Sequence, residues 1–342
     1  MTNLEIINFG VVGVGRIGKI HIENLCHRLP GTGVNAVADV VKEDLQNVAK
    51  KFDIPYITQD YREILSNPAI DAIVICSPTN THARIIEEAA ANGKHVFCEK
   101  PIDLTLDKIK RVIEVVEQTD IKFQVGFNRR YDPNFLKVYH TVKSGKIGKP
   151  QILKITSRDP SPPPLSYLQV SGGMFLDMTI HDFDMARYLM QKEVIEVFTV
   201  GKVLVDPIFD EANDVDTAIT VLTFENGGMA TIDNSRQAVY GYDQRVEVFG
   251  SDGMVMVNNN TPDNHLYFNK DSTHSALPLN FFMDRYTDSY LNEMDVFINC
   301  IKNDESPDAS GKDGLIAVAI GLAAKKSLEK NRPVQLSEII KL

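Results

Sequence analysis

The stretch from Ile6 to Gly18 constrains this chain more than any other. An apolar, β-favouring run from Ile6 to Val12 passes into Gly13-Val14-Gly15-Arg16-Ile17-Gly18 and then into a helical stretch that ends near His27. In a G-x-G-x-x-G between strand and helix, the first glycine permits the tight turn and the second lets a pyrophosphate approach the backbone. The third lets the helix pack on the strand. The helix that opens at Arg16 and Ile17 offers N–H groups and the positive end of its dipole to an anion. The next strand, Val34 to Ala38, ends at Asp39, 21 residues after Gly18, where an acidic residue takes the ribose hydroxyls of an adenosine. The same carboxylate repels a 2′-phosphate, so the pattern favours NAD over NADP.

Strands and helices continue to alternate: helix 42–52, a short strand near Tyr56, helix 61–65, strand 71–76, helix 84–92, strand 95–99, helix 106–118 and strand 122–126. Right-handed crossovers make this a parallel sheet, whose ligands sit beyond the carboxyl ends of the strands. Two segments occupy that edge. In Ser77-Pro78-Thr79-Asn80-Thr81-His82, the residues Ser77, Pro78 and Asn80 are candidate cofactor contacts, and Asn80 or Thr81 is also a plausible helix N-cap. His82 is either a cofactor contact or a first-turn helix residue. Glu99-Lys100-Pro101 follows the next strand, which places Glu99 and Lys100 at the cofactor edge. Lys100 is either a solvated loop residue or an active-site cation, and Pro101 restricts its backbone to extended conformations.

From about Asn128 the pattern changes. A helix over 133–144 leads to a strand over 151–158, and the cluster Pro160-Ser161-Pro162-Pro163-Pro164 makes a stiff loop before Gly172-Gly173. The run then turns helical with Asp177 and His181 four residues apart, which places both on one helix face. A carboxylate beside an imidazole fixes its tautomer, stabilises its protonated form and poises it as a general base; the same pair can merely cap or pack a half-buried helix. Strand-like runs follow at 195–205, 215–224, 229–240, 245–249 and 254–257, and Glu225-Asn226-Gly227-Gly228 is a hairpin signal between two of them. The expected fold is therefore an α/β Rossmann domain over 1–127, then an α+β domain over 128–342 with a large, mainly antiparallel open sheet. The second domain is expected to bind substrate and to oligomerise, with helices near 287–302 and 312–330 covering one sheet face or packing back on the first domain.

Composition narrows the function classes. A net charge of −10 with no compensating basic face argues against nucleic acid and against an anionic membrane surface. No apolar run approaches the roughly 20 residues of a membrane helix, and Met1 leads almost directly into strand-like residues without a signal or transit pattern. The expected location is the cytoplasm. Cys26, Cys76, Cys98 and Cys300 are scattered without C-x-x-C spacing and read as reduced thiols.

Gly13–Gly18, Asp39, the Ser77–His82 segment, Cys98-Glu99-Lys100-Pro101 and Gly172–Asp184 together resemble the glucose-fructose oxidoreductase, inositol dehydrogenase and rhizopine catabolism family, over nearly the whole chain. Phe127–Asp132, Ser157–Pro160 and Tyr240–Asp243 are most similar to the members that act on inositols. The resemblance implies NAD-dependent oxidation of a secondary hydroxyl of myo- or scyllo-inositol to 2-keto-myo-inositol. It implies that His181 is the base, that Asp177 orients and charges it while touching substrate, and that Lys100 bonds the reacting oxygen. Asn128, Arg129, Asp159 and Tyr242 join these three as candidate polyol contacts, each also readable as a loop or interface residue; Arg130 reads as an interface brace. The resemblance also points to a homotetramer built through the open sheet. Other readings are a dehydrogenase of another cyclitol or a pyranose, a non-catalytic dinucleotide sensor, and a metal site from Asp177, His181 and Asp184, although the expected site holds no metal.

Overall fold

The structure, a computed structural model, describes residues 6–341. The chain forms two units, a first that runs to Tyr131 and takes in Asp288–Ile316, and a second made of Asp132–Thr287 with the chain from Ala317 onward.

In the first unit six strands form one parallel sheet: β1 (Ile7–Val12), β2 (Thr32–Ala38), β3 (Tyr56–Thr58), β4 (Ala72–Ile75), β5 (His95–Glu99) and β6 (Phe123–Gly126). Their order is β3-β2-β1-β4-β5-β6, so the direction of winding reverses between β1 and β4. A parallel sheet covered on both faces needs apolar residues on both sides of each strand, and β4 and β6 are buried at every position. Part of the cover comes from far along the chain. Met294, Phe297 and Ile298 of the helix Thr287–Asn303 belong to the core cluster that contains Phe9, Ile22, Val74 and Phe97. The Phe297 ring lies 6.4 Å from that of Phe9 and 5.9 Å from that of Phe97.

The second unit is built on a seven-stranded sheet from β7 (Pro150–Arg158), β8 (Val194–Lys202), β9 (Thr217–Phe224), β10 (Met229–Ser235), β11 (Asp243–Gly250), β12 (Met254–Val257) and the late strand β15 (Val334–Gln335). A separate hairpin pairs β13 (Leu266–Phe268) with β14 (Thr273–Ser275). The order β12-β11-β7-β10-β9-β8-β15 is antiparallel at each junction but one, because β7 and β10 pair in parallel. The β9–β10 hairpin turns through Glu225–Gly228, where Gly227 takes a positive φ of 82°. Alternation along these strands buries Leu153, Ile155, Leu222, Ile232 and Val248 on one face. The opposite face exposes Ile219, Met229, Phe249, Met254 and Met256.

Among the differences from the sequence-based expectation, two lie next to Asp177. The proline cluster ends in a short helix, Leu165–Ser171, which starts directly after Pro164, a residue that suits a helix start. The helix expected through Asp177 and His181 is not continuous: Met174–Met178 forms a π turn with a wider i→i+5 bond, and a separate α-helix covers Ile180–Met190. The Thr179 N–H closes the π turn on the Met174 carbonyl at 2.8 Å. The late helices also divide, since Asp288–Ile316 belongs to the first unit and the remainder of the helix Gly311–Lys330 to the second. No helix among the described residues is long and apolar enough to cross a membrane.

Candidate functional site

The glycine turn after β1 has the three-part construction its sequence implies. Gly13 has φ of 94°, and a Cβ there would lie 2.5 Å from the Cys76 carbonyl carbon and 2.6 Å from the Ser77 nitrogen, so the turn abuts the segment that follows β4. A Cβ on Gly18 would run into the Gly13 carbonyl oxygen, which fixes helix against turn. At Gly15 nothing lies within 4 Å of an added Cβ. This is the glycine across which a pyrophosphate must pass, and the helix Arg16–Glu23 begins there with no side chain capping its N-terminus. Arg16 and Ile17 form the first turn.

Asp39 stands at the end of β2 and is tied to this turn. Its carboxylate accepts the Val14 N–H at 2.8 Å and the Val41 N–H at 3.0 Å, while the Gly13 N–H reaches the Ala38 carbonyl at 2.8 Å. Two carboxylate oxygens offer about four lone-pair sites, so acceptors remain for a ribose diol. The glycine turn and Asp39 therefore fit a bound NAD.

On the next two strands, backbone carbonyls take the leading part. The Ser77 and Thr81 hydroxyls pair at 2.6 Å, and the Thr81 hydroxyl also donates to the Pro78 carbonyl at 2.7 Å. Asn80 and Thr81 lie in the first turn of the helix Thr79–Ala91, whose N-cap position belongs to Pro78, so neither caps it. His82 is buried with Nε2 2.7 Å from the Ser77 carbonyl and Nδ1 2.8 Å from the Pro101 carbonyl. The ring thus lies between the Ser77 and Pro101 segments, and whichever nitrogen carries the proton donates to its carbonyl. Burial pushes the imidazole below its usual range, opposed by those two carbonyls and by the negative charges of Glu99 and Asp103. Lys100 is half-buried at the end of β5, and its peptide bond to Pro101 is cis. Glu99 bonds His21 Nε2 at 2.8 Å.

Asn128, Arg129 and Arg130 lie buried in a 3-10 turn just beyond β6. The Ser289 hydroxyl donates to the Asn128 carbonyl, which anchors the turn to the helix Thr287–Asn303. Arg130 braces its own unit: Nη1 donates to the Asp308 carbonyl at 2.8 Å and Nη2 pairs with Asp313 at 3.1 Å.

In the second unit, Gly172 and Gly173 take φ of 94° and 72° and set the entry to the π turn. A Cβ on Gly173 would lie 2.7 Å from an Asp214 carboxylate oxygen, and the same carboxylate accepts the Met174 N–H at 2.9 Å. Burial pushes the Asp214 carboxyl up, against the backbone bonds that favour its charge. From this turn the Asp177 carboxylate accepts the Tyr167 hydroxyl at 2.8 Å and Arg236 Nη2 at 3.3 Å. Arg236 also donates through Nη1 to Asp159 at 3.0 Å, so one guanidinium joins two of the expected site carboxylates. It is 3% exposed; although burial disfavours its charge, Asp159, Asp177 and Asp214 together raise its pKa. His181 is half-buried at the second position of the helix Ile180–Met190. That helix is held to the sheet by the Thr179 hydroxyl on Asn234 at 2.9 Å and the Asn234 amide on Asp182 at 2.9 Å. Tyr242 is buried edge-on to Tyr286, with ring centroids 6.0 Å apart.

Asp159 and Asp177 are thus brought together by Arg236, while Tyr242 sits in a separate aromatic contact. Arg236 and Tyr167 carry no sequence signal of their own. Arg236 is a single basic residue just after β10, 59 residues from Asp177 and 77 from Asp159; the register of β10 on β7 brings Asp159 into range and the π turn brings Asp177. Among the described residues, the group of three with metal-ligand spacing is His21, Glu99 and Glu293, in the first unit.

Comparison with known proteins agrees with both units. Residues 7–127 match the model of an oxidoreductase family with an NAD-binding Rossmann fold, and residues 135–256 match the GFO/IDH/MocA C-terminal domain. The chain is 48% identical to a myo-inositol 2-dehydrogenase of Thermotoga maritima over 98% of its own length and 100% of that protein. It is 36% identical to an NAD(+)-dependent scyllo-inositol 2-dehydrogenase of Bacillus subtilis over 96% of each. A crystal structure of scyllo-inositol dehydrogenase from Lactobacillus casei with bound NAD(H) and scyllo-inositol superposes with a TM-score of 0.92 at 31% identity, covering 97% of this chain and 99% of that one.

Proposed function

This chain belongs to the glucose-fructose oxidoreductase, inositol dehydrogenase and rhizopine catabolism family of oxidoreductases, and on that footing we propose that it oxidises inositol with NAD. The reaction takes a secondary hydroxyl of myo- or scyllo-inositol to 2-keto-myo-inositol. The observation that carries this reading is the joint presence of a dinucleotide turn with Asp39 beside it and an Arg236-linked pair of carboxylates on the second unit.

The residues divide the work as follows. Gly13, Gly15 and Gly18 with the N–H groups at Arg16 and Ile17 hold the pyrophosphate, Asp39 takes the ribose hydroxyls, and Ser77, Pro78, Asn80 and Glu99 line the remaining cofactor edge. His82 holds that edge in shape through two backbone carbonyls. When bound, the nicotinamide accepts the hydride from the carbinol carbon. Lys100 donates a hydrogen bond to the reacting oxygen and stabilises the developing alkoxide, while His181 takes the hydroxyl proton. Asp177 orients His181 and is itself fixed by Tyr167 and Arg236. Asn128, Arg129, Asp159 and Tyr242 read the other hydroxyls, since a wrong stereoisomer leaves buried donors or acceptors unpaired.

Both isomers lead to one ketone, so product identity does not separate them. Steady-state rates with myo-inositol, scyllo-inositol, chiro-inositol and glucose, each with NAD and NADP, test the reading. An inositol with NAD is expected to give the highest kcat/KM. NAD binding without reduction on any of these substrates would instead assign the chain to a dinucleotide sensor.

We also infer a homotetramer through the exposed sheet face that carries Ile219, Met229, Phe249, Met254 and Met256. Light scattering that gave a stable monomer at micromolar concentration would remove this. The four cysteines are free thiols, in keeping with a cytoplasmic enzyme.

A further inference from the structure

Glu293, on the helix Thr287–Asn303, has no exposed surface, and neither of its carboxylate oxygens has a hydrogen-bond partner. Its backbone carbonyl accepts the Gln124 amide at 2.9 Å, so the residue is firmly placed. Two further titratable groups face it. His21, fully buried on the helix Arg16–Glu23, bonds Glu99 at 2.8 Å through Nε2, and its Nδ1 also lacks a partner. One ligand-type atom from each of His21, Glu99 and Glu293 lies within 4.8 Å of the others. The surroundings are apolar: Phe97 and Tyr290 stand edge-on to the His21 ring at 4.9 and 5.8 Å. Tyr290 and the thiols of Cys76 and Cys98 are further titratable groups nearby, and burial first, then the charge of Glu99, pushes both thiols up.

A lone carboxylate in such a site costs several kcal/mol, and two cannot both ionise at close range. Burial first, and repulsion from Glu99 second, push the Glu293 carboxyl well above its usual range. A divalent ion is the other group that a histidine and two carboxylates can hold. However, magnesium or calcium wants six or more oxygens, which this site does not supply, and zinc takes cysteine as the thiolate, from which burial and the charge of Glu99 push the two nearby thiols away.

We propose that Glu293 is a positioning residue held as a carboxylic acid, whose proton completes a buried Glu293/Glu99/His21 unit that fixes the end of β5 from which Lys100 departs. The consequence for turnover rests on the role proposed above for Lys100; the protonation does not.

Glu293→Gln keeps the shape and an N–H donor but cannot titrate. A raised folded-state pKa contributes stability that is full below the unfolded carboxyl value, roughly 4.5, and is lost as pH rises towards the folded value. The Tm of Glu293→Gln relative to wild type is therefore expected to climb with pH, by on the order of 5 °C between pH 4.5 and 7. The infrared band of a protonated carboxyl should be present in wild type at pH 7 and absent from the variant. In kinetics, Glu293→Gln should stay within about threefold of wild-type kcat, whereas Glu293→Leu should lose about tenfold or more with KM for NAD little changed.

A pH-independent Tm difference, or no infrared loss, means that Glu293 is ionised and overturns the proposal. So does an equimolar metal in purified wild type that is lost in Glu293→Gln. Normal kcat in Glu293→Leu removes the positioning role, and if that variant does not fold, the rate of Glu293→Gln decides the role by the same threefold limit. The Tm and infrared measurements need no substrate, so they stand even if the activity proposed above fails.

Discussion

The two units hold their candidate site residues by different means. In the first, backbone geometry predominates: the glycine turn is fixed by close contacts that no side chain could tolerate, Asp39 is held by two N–H groups, and His82 reaches two carbonyls. In the second, Asp177 and Asp159 depend on one guanidinium and one phenol, each from elsewhere in the sequence. A backbone cradle suits a ligand whose phosphates are the same in every turnover. A side-chain network can be retuned for a particular arrangement of hydroxyls, at the cost that one lost member leaves the others buried and uncompensated.

The largest effect should come from removing the group proposed for the chemistry on each unit. Lys100→Ala and His181→Ala are each expected to lower kcat by roughly 10²–10⁴-fold, with NAD binding by calorimetry almost unchanged. Near-normal kcat in either would dissolve the division of labour between cradle and network.

Next is the network itself. Arg236→Ala leaves Asp159 and Asp177 without their shared cation and should cost about 3–5 kcal/mol in urea unfolding, along with turnover. Arg236→Lys should recover only part of this, because an ammonium lacks the two separate planar nitrogens with which Arg236 meets Asp159 and Asp177. A loss within about 0.5 kcal/mol would mean that the second unit is as backbone-built as the first.

The smallest effect falls on the cradle. Asp39→Ser keeps a hydroxyl acceptor for one N–H and removes the charge that opposes a 2′-phosphate. The NAD-to-NADP ratio of kcat/KM should fall by about tenfold or more, while stability changes by about 1 kcal/mol. An unchanged ratio would place Asp39 away from the ribose and leave it only its structural role at the turn.

These differences also explain what could be read from the sequence. The Rossmann unit is legible because its determinants are local: Gly13 to Gly18 and Asp39 lie within one strand-helix-strand passage and carry their spacing with them. The strands of the second unit are legible as alternating runs, and Glu225–Gly228 announces its hairpin. The parallel pairing of β7 with β10 is not, because it depends on where a long crossover returns rather than on any residue in either strand. Arg236 is invisible for a related reason, since that register sets its Asp159 partner and the π turn its Asp177 partner. The break at Met174–Met178 escapes an i, i+4 reading because Asp214, some 40 residues on, secures the Met174 N–H beside it. Glu293 reads as an ordinary polar position on an amphipathic helix until the fold closes that helix over His21.

The helix Thr287–Asn303 gives the order of synthesis a consequence for folding. When residue 131 leaves the ribosome, the parallel sheet has all six strands but still lacks Met294, Phe297 and Ile298, which complete its core. At about 5–20 residues per second, that wait lasts roughly 10–30 s, during which the face carrying Phe9 and Phe97 must be shielded by other means. The nucleotide-binding half is begun first and finished late. A nascent chain stalled before residue 288 should therefore be more open to protease and to chaperone capture than the short length still missing would imply.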